Sequence, residues 1–346
     1  MKRILIIGGG FQSLIIVKLL NEYGTCPTII DSAILNGTIS SYHVNSFIID
    51  KVPFFLLSST DVKKLEELLG QFDIVEKYIK PIVIKPGPLM DKIWAMKVNG
   101  SMEKPWPLKW TNALYYPKNG WYSILARLKH SLKYGHIPLR LKKINVKEKV
   151  IRLTHRKSLR YDILISTIPL NEFLDLINMN FINLSPNLRR LRYCHMVSLI
   201  HVIKGKSPDW IIGYYGGTGM LPHTLIIMSN ISRAIVPQGY FTLHSLVSYS
   251  REKGLRAGFV EQVKSQLKRR GIISSLKDVI VERVFNIRYA CINPRDVNDR
   301  LLRRIIDILA RYNIMLYGRL ACWREYNIAE VVENAKDVVD EISEII

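Results

Sequence analysis

The chain has few cysteines, four in 346 residues. Cys26, Cys194, Cys291 and Cys322 lie far apart, and no two of them form a CxxC pair. This spacing argues against a zinc module and provides no disulfide framework. A reducing compartment is the simplest setting for such a chain, so we expect a cytoplasmic protein.

Long apolar runs are also missing. No uninterrupted apolar stretch approaches the roughly 20 residues that a membrane-spanning helix needs. The N-terminal run Ile4–Ile7 is cut short by glycines, and no small-residue cleavage site follows it. We therefore expect no transmembrane segment and a protein that is soluble or peripheral to a membrane.

Acidic residues are scarce relative to basic ones: 29 Asp and Glu stand against 50 Lys and Arg, a formal net charge of +21. Such a surplus is compatible with a solvated basic surface, a face that docks on an acidic protein or a membrane, an anionic ligand, or nucleic acid. The basic clusters are short and scattered: Lys142-Lys143 with Lys147 and Lys149, Arg189-Arg190 with Arg192, Lys268-Arg269-Arg270, and Arg303-Arg304. Nucleic-acid proteins more often gather basic residues into one stripe, so we consider nucleic acid an unlikely partner.

The sequence is most informative at its N-terminus. Residues 3–7 form a short apolar run that ends in Gly8-Gly9-Gly10, and a run of helical apolar density follows at Leu14–Leu20. A second apolar run closes at Asp31. Strand, glycine turn, helix, strand and terminal acid together predict a βαβ unit of about 30 residues.

The remaining pattern predicts alternating helices and strands. An amphipathic helix is expected from about Asp61 to Tyr78, and the Pro-, Trp- and Tyr-rich stretch from Lys80 to Asn119 is interpreted as short strands and loops around a pocket. The other predicted elements are a helix at 120–134, a hairpin at 137–153, strands at 161–167, 195–202, 210–215, 225–229, 240–247 and 279–285, and helices at 259–270, 301–311 and 328–345. These elements indicate α/β layers interrupted by a mostly antiparallel insertion.

The glycine turn fits a dinucleotide site. Gly8 and Gly10 supply the first two glycines of G-x-G-x-x-G, where a Cβ would block both the turn and the approach of a pyrophosphate to the helix N-terminus. Ser13 stands at the third position, whose glycine serves helix–strand packing. Asp31 is placed to accept hydrogen bonds from an adenosine ribose and disfavours a 2′-phosphate. The turn alone does not distinguish NAD from FAD.

Two later segments resemble a known family. Tyr115-Tyr116-Pro117-Lys118-Asn119-Gly120, followed by the 137–153 hairpin and Tyr161–Leu170, resembles the order of elements in FAD-dependent proteins of the amine oxidase and protoporphyrinogen oxidase superfamily. The segment Tyr317–Ile328, which begins Tyr-Gly-Arg-Leu, resembles the C-terminal motif of UDP-galactopyranose mutase-like members. The fold class implied is α/β, with a Rossmann-like FAD/NAD(P)-binding domain (1–60, 135–170 and 285–346) and an inserted, mostly antiparallel α+β substrate domain (61–134 and 171–284).

The resemblance implies that FAD is the cofactor. The residues expected to hold it are Gly8, Gly9, Gly10, Phe11, Gln12, Asp31, Leu141, Thr167, Gly318, Arg319, Asn327 and Ile328. A physical reason supports the last two: Asn327 suits a helix cap, and a helix that begins near Ile328 would stabilise negative charge on a reduced flavin through its free N–H groups.

Two segments depart from the family pattern. Asp31 is followed by one glycine, Gly37, and no arginine, where the family usually has a glycine pair and an arginine. The segment Asp50-Lys51-Val52-Pro53 carries Lys and Val where the family has small residues against the flavin ring.

The leading functional hypothesis is an FAD-dependent oxidoreductase that transfers a hydride from an organic small molecule to the flavin, with Tyr116, Lys118 and Arg233 as candidate catalytic residues. Two alternatives stay open. One is a non-redox flavin isomerase of the sugar-nucleotide mutase type, and the other is a flavin-less homologue that acts as a binding subunit. His195, His201 and His244 lack a carboxylate or cysteine at metal-ligand spacing, so we predict ordinary strand histidines and no metal.

Overall fold

The structure is a computed structural model that describes residues 2–35, 37–85, 113–177, 188, 191–217, 219–249 and 254–345. Its helices are α1 (Phe11–Glu22), α2 (Ser59–Leu69), α3 (Gly120–Ser131), α4 (Leu170–Leu176), α5 (Phe259–Arg269), α6 (Asp299–Ala310) and α7 (Ile328–Ile345). Its strands are β1 (Ile4–Ile7), β2 (Thr28–Ile30), β3 (Ser41–Val44), β4 (Phe47–Asp50), β5 (Ile74–Tyr78), β6 (Ile82–Lys85), β7 (Ala113–Pro117), β8 (Gly135–Ile137), β9 (Leu141–Asn145), β10 (Val150–Leu153), β11 (Ser158–Arg160), β12 (Ile163–Ser166), β13 (Tyr193–Lys204), β14 (Ile212–Tyr215), β15 (Thr224–Ile227), β16 (Tyr240–Tyr249), β17 (Val279–Ile292) and β18 (Ile314–Leu316).

A five-stranded parallel sheet carries the N-terminal βαβ unit. Its strand order is β18-β12-β1-β2-β8, and every pair in it is parallel. The two central strands, β1 and β12, are buried along their whole length, which explains why their sequences are continuous apolar runs. The chain order reverses between β1 and β12, and ligands of such sheets bind outside the carboxyl ends of the strands at this point.

A six-stranded sheet forms the second large layer, in the order β17-β13-β16-β15-β14-β6. Its pairs are antiparallel except β14 with β6, so the expected mostly antiparallel insertion is confirmed. One of its edge strands, β17, runs without a break from Val279 to Ile292 and so crosses residue 285, where the predicted domains divide. The domain division itself stays a prediction.

A three-stranded antiparallel sheet, in the order β11-β10-β9, follows the parallel strand β8. Ile144 and Ile151 on its inner face are fully buried, and they pack in the same core cluster as Phe173 of α4. The other face carries polar side chains. The predicted strand Val150–Leu153 is confirmed, but its hairpin partner is β9 and not the predicted strand 137–141, because Ile137 ends β8 of the parallel sheet.

The predicted helix from Asp61 to Tyr78 is wrong in its second half. Helix α2 starts after Ser58, whose hydroxyl accepts a hydrogen bond from the Asp61 N–H, and ends before Gly70, which has φ +77°. A glycine in this left-handed region is a common helix stop. The chain then forms β5, which pairs with β7. Most of the aromatic stretch between Lys80 and Asn119 lies outside the described residues.

Helices long and apolar enough to cross a bilayer are absent from the described part of the chain.

Candidate dinucleotide site

Gly8 is the first residue after β1, and its position admits no side chain. Its φ is +105°, and a Cβ there would lie 2.3 Å from the Thr167 hydroxyl oxygen. Its N–H donates to the carbonyl of Ile30 at the end of the neighbouring strand (3.1 Å). The glycine therefore allows the ends of β1, β2 and β12 to approach one another at the carboxyl edge of the sheet.

Gly10 is the N-cap of α1, and no side chain caps the first turn of that helix. The place where a Cβ would stand is open, with no described atom within 4 Å. An uncapped helix N-terminus beside open space is suited to a phosphate, because the N–H groups of the first turn and the helix dipole both favour an anion. Gly10 therefore leaves room for a pyrophosphate at the point that the sequence predicts.

Ser13 takes the place of the third glycine and joins α1 to β12. The Thr167 hydroxyl donates to the Ile7 carbonyl (2.9 Å), and the Ser13 hydroxyl lies 2.9 Å from the same threonine oxygen. Since the single proton of Thr167 is already used, Ser13 must be the donor of the second bond. The serine is thus part of the helix–strand contact, and Thr167 holds the strand ends together.

Asp31 lies against the glycine turn, as expected for the acid at the end of β2. One carboxylate oxygen accepts a hydrogen bond from the Gly9 N–H (2.7 Å), and the other lies 3.2 Å from the Ser32 hydroxyl. His136 of β8 is hydrogen-bonded to the Asp31 carbonyl (2.9 Å). The carboxylate is partly exposed, so it also has a side open to a ligand.

The loop after Asp31 folds over the glycine turn. The Leu35 N–H donates to the Gly9 carbonyl (2.6 Å). A Cβ on Gly37 would lie 3.3 Å from the Cα of Gly10, so the one glycine in this loop is required for close backbone approach. The loop therefore supplies backbone, and not an arginine, next to the expected phosphate position.

The C-terminal motif meets the N-terminus of α1. Gly318 has φ +89°, and a Cβ there would lie 2.3 Å from the Gln12 side-chain oxygen. Its N–H donates to the Asn334 side chain of α7 (3.0 Å). The structure therefore brings Gly318 and Gln12 together, although 306 positions separate them in the sequence.

Arg319 is committed to partners within the chain. Its Nε and one terminal nitrogen each donate to the carboxylate of Glu325 at 2.9 Å, in a bidentate pair. The guanidinium also contacts the carbonyls of Tyr289 (3.4 Å) and Ala290 (3.3 Å). The role of Arg319 at a pyrophosphate stays a prediction, and the acid six residues later is the signal that reveals its pairing.

Asn327 caps α7, as predicted. Its side-chain oxygen accepts from the Glu330 N–H (2.9 Å), while the Glu330 carboxylate accepts from the Asn327 N–H (2.7 Å), so the two form a capping box. A third participant at this helix end is not visible in the sequence pattern. The carboxylate of Asp61, buried at the start of α2, accepts a hydrogen bond from the Ala329 N–H (2.9 Å) and another from the Leu57 N–H (2.9 Å).

Asp61 therefore places a carboxylate at the positive end of α7. This is where the sequence predicts that Asn327 and Ile328 face a flavin and stabilise its negative charge. The donor at Ala329 is already used, because a buried carboxylate at a helix N-terminus satisfies the same N–H groups that an anionic ligand would. That prediction remains untested, but the Ala329 donor is not available without displacing Asp61.

The three candidate catalytic side chains have different hydrogen-bond or ion-pair partners, although the Ser232 hydroxyl, next to Arg233, donates to the Lys118 carbonyl. Tyr116 is buried and donates a 2.5 Å hydrogen bond to the equally buried Asp50. Lys118 is exposed, with its Nζ 3.9 Å from Asp73. Arg233 is exposed and donates to the Ser207 hydroxyl (3.3 Å). A shallow surface pocket of about 170 Å³ lies beside Lys118, lined by Phe72, Asp73, Pro117, Asn119, Ser123 and Ile124.

The segment Asp50–Pro53 packs into the core. Val52 is 7% exposed, and burial lowers the pKa of the half-buried Lys51. Burial raises the pKa of Asp50 to about 6, an effect only partly opposed by hydrogen bonds from Ser41 and Tyr116. A protonated or shared-proton state of the Asp50–Tyr116 pair is therefore accessible near neutral pH.

None of the hydrogen bonds described for the glycine turn involves Leu141 or the candidate histidines. Leu141 begins β9, is half-buried, and packs against the core cluster that contains Ile144, Ile151 and Phe173. His201 and His244 are buried in strands β13 and β16, and the nearest acid to His201 is Glu282 at 3.4 Å. Within the described ranges, no three His, Cys, Asp or Glu side chains converge as a metal site would require.

No family model matches the chain, and no curated protein matches it. The chain is similar to solved structures. They include reduced UDP-galactopyranose mutase (TM-score 0.81, 15% identity, covering 100% of this chain and 96% of that one) and a protoporphyrinogen oxidase-like protein from Exiguobacterium sp. 255-15 (0.77, 12%, 100% and 99%). Putrescine oxidase bound to putrescine is also similar (0.67, 11%, 99% and 99%).

The chain shares the fold of these proteins over nearly its whole length. The expected α/β fold class is thereby confirmed, and the fold agrees with the resemblance seen in Tyr115–Gly120, Tyr161–Leu170 and Tyr317–Ile328.

The described residues fit the two halves of FAD unequally. The ADP half fits, because Gly10 opens onto free space at an uncapped helix N-terminus and Asp31 stands beside it. The flavin end departs from expectation, because Asp61 holds the Ala329 N–H and Val52 is part of the core.

Proposed function

We propose that this protein is an FAD-dependent oxidoreductase that binds the ADP half of its cofactor at the β1–α1 turn. The observation that carries the proposal is the open space at Gly10, next to the uncapped N-terminus of α1 and at the reversal point of a parallel sheet. The fold of the chain supports a flavoprotein in particular.

Each part of the turn has a defined role in this proposal. The first-turn N–H groups of α1 bind the pyrophosphate, and Asp31 accepts hydrogen bonds from the adenosine ribose. Gly8 and the Ser13–Thr167 bond keep the strand ends close enough to form the turn. Gln12 and Gly318 close the site from the side of the C-terminal motif.

FAD, when bound, would accept a hydride from an organic small molecule. The contribution of this chain is orientation, exclusion of water and control of a proton. The Tyr116 hydroxyl and Asp50 hold one proton between them in a buried pair, and the raised pKa of Asp50 suits a group that takes up or releases a proton near neutral pH.

One observation favours a second candidate, the flavin-less homologue that acts as a binding subunit. The Ala329 N–H, at the helix end expected to face the flavin, is occupied by Asp61. A chain that no longer needs this helix end for a cofactor is free to satisfy it internally, because buried N–H groups need partners. In this candidate the glycine turn binds an adenine nucleotide or nothing.

The absorbance spectrum of the purified protein between about 350 and 500 nm decides between the two candidates, since the cofactor carries the chemistry. A flavin spectrum, or saturable binding of added FAD to the colourless protein, supports the flavoprotein. No flavin and no binding of added FAD contradicts it.

For a yellow protein, a second measurement separates oxidoreductase from sugar-nucleotide mutase. Bleaching of the flavin by an organic donor without added reductant supports the oxidoreductase. Turnover of a UDP-sugar with no net redox change would instead support the isomerase.

A further inference from the structure

The outer face of the β9–β10–β11 sheet carries a set of basic side chains that form no ion pair with the described acidic residues. Lys143, Arg152 and Arg160 are exposed on this face, which we name the basic sheet face. Lys143 stands directly opposite Arg152 in the β9–β10 pairing, and Arg160 of β11 stands opposite Val150 of β10. The three cations therefore lie on adjacent strands of one small sheet.

The charge of this region is strongly one-sided. Between residues 140 and 160 there are nine Lys and Arg and a single acid, Glu148. In the part of the chain that is described, no ion pair joins Lys143, Arg152 or Arg160 to an acid. A further cation, Arg3, donates from its guanidinium to the Arg160 carbonyl (3.2 Å). The adjacent acid Asp162 accepts a hydrogen bond from the Arg3 backbone N–H (2.6 Å).

This arrangement is unfavourable for the isolated fold. Like charges directly opposite in a β ladder destabilise the pair, and Lys143 and Arg152 are in that relation. The inner face of the sheet is held by buried Ile144 and Ile151, so folding does not require the outer cations. A negatively charged partner would remove the repulsion.

The character of the face restricts the class of partner. None of the large hydrophobic residues exposed in the described structure lies between residues 135 and 160. A specific protein interface usually has an apolar or aromatic centre, and a single-stranded nucleic acid needs aromatic stacking platforms. A sheet face of exposed cations without such anchors is complementary to a broad and diffuse negative surface.

We propose that the basic sheet face docks this protein onto an anionic lipid bilayer by electrostatic attraction. Each basic residue near such a surface strengthens binding by about fivefold. The attraction falls off over a Debye length, and added salt shortens that length. The binding is therefore reversible and salt-sensitive, without insertion of the chain into the hydrocarbon. The basic sheet face involves neither the glycine turn nor FAD, so docking on the bilayer is independent of the proposed function.

The test is co-sedimentation of the full chain with vesicles of phosphatidylcholine and phosphatidylglycerol (3:1), with pure phosphatidylcholine vesicles as reference. We expect binding to the anionic vesicles only, with loss at high salt. The variant Lys143→Gln, Arg152→Gln, Arg160→Gln should bind about 100-fold more weakly, from about fivefold per charge. A matched control, Lys268→Gln, Arg303→Gln, Arg304→Gln, removes three exposed cations from helices α5 and α6.

The control should bind within about threefold of the wild type, since charges outside the docked face contribute little. Thermal melting of both variants shows that they are folded. The proposal is overturned if anionic vesicles do not bind at about 0.1 M salt, or if the control loses as much affinity as the first variant. Tighter binding to duplex DNA that depends on the same three residues would also overturn it and assign the face to nucleic acid.

Discussion

Gly8 and Gly10 are two residues apart but differ in the reason for having no side chain. Gly8 has a positive φ and a neighbour 2.3 Å from its missing Cβ, whereas Gly10 has neither constraint. The described neighbours therefore do not require glycine at position 10, and the proposed function accounts for it by a ligand that approaches the backbone.

At the residue scale this contrast gives the first prediction. Gly10→Val should abolish FAD binding, because its side chain enters the proposed phosphate space, while the protein stays folded and loses only the stability of a favourable N-cap residue, about 1 kcal/mol. Gly8→Ala should lower the free energy of unfolding by about 1–3 kcal/mol through backbone strain and contact with Thr167. Isothermal titration with FAD and thermal melting measure the two effects. Unchanged FAD affinity in Gly10→Val would contradict the assigned turn.

The second prediction concerns Asp50. Burial raises its pKa from 3.8 to about 6 in the folded protein, so the folded state binds a proton that the unfolded state has already lost between these values. Its contribution to stability is complete below about pH 4 and is lost as the pH rises to about 6, a change of about 3 kcal/mol. Asp50→Asn keeps an acceptor for the Tyr116 hydroxyl and removes the titration.

Denaturant unfolding at pH 5 and pH 7.5 checks this. The stability of the Asn variant relative to the wild type should be about 1.4 kcal/mol greater at pH 7.5 than at pH 5. An equal effect at both pH values would show that Asp50 titrates normally.

At this scale the sequence identifies residues whose function is local. Spacing alone predicts Gly8, Gly10, Asp31 and Asn327, because a turn or a helix cap is formed by residues that are neighbours in the chain. Asp61 could not be found in this way, since its partner Ala329 is 268 positions away.

At the scale of secondary-structure elements, the third prediction concerns the first turn of helix α7. Asp61 is itself buried, accepts hydrogen bonds from the N–H groups of Leu57 and Ala329, and lies at the positive end of the helix. Asp61→Ala should lower the free energy of unfolding by about 1–3 kcal/mol, because both partly buried donors lose their acceptor. Ser58→Ala, which removes only the cap of α2, should cost about 1 kcal/mol.

Hydrogen exchange at the first turn of α7 distinguishes the two variants. Protection there should fall in Asp61→Ala and remain in Ser58→Ala. Retained protection at Ala329 in Asp61→Ala would show that another group, or a bound ligand, satisfies this helix end.

Helix α2 also shows why element boundaries are hard to predict. Val62, Leu65, Leu68 and Leu69 keep helical spacing up to Gly70, and the apolar pattern continues past it to Phe72. The positive φ of Gly70 ends the helix, and the following residues gain more by pairing as β5 with β7. A glycine inside a periodic pattern does not reveal whether it stops the helix.

At the scale of the whole molecule, the strand order is what assembles the site. Strands β8, β12 and β18 come from distant parts of the chain and complete a sheet that the first 31 residues begin. Sequence pattern predicts each strand, because burial on both faces demands an apolar run. It does not predict their order, which depends on packing among elements, and the resemblance to a family supplied that information instead.

Two buried histidines give the last prediction, a loss of stability in acid. Burial lowers the pKa of His244 from 6.5 to about 3 and that of His201 to about 4, the latter opposed by the nearby Glu282. Both side chains are therefore neutral in the folded protein and take up protons on unfolding below about pH 6.5. Stability is fully present above this pH and falls as the pH decreases, by about 2 kcal/mol for each histidine at pH 5.

Asp50 acts in the opposite direction between pH 6 and pH 4 and offsets part of this loss. We expect His244→Leu to lower the slope of the unfolding free energy against pH between 6.5 and 5 by nearly one proton, whatever its effect on stability at pH 7.5. The exposed His130→Leu on α3 is the matched control and should keep the slope of the wild type. Chemical denaturation at half-unit pH intervals measures these slopes. An unchanged slope in His244→Leu would mean that this histidine is protonated in the folded core, which requires an anionic neighbour that the described residues do not place beside it.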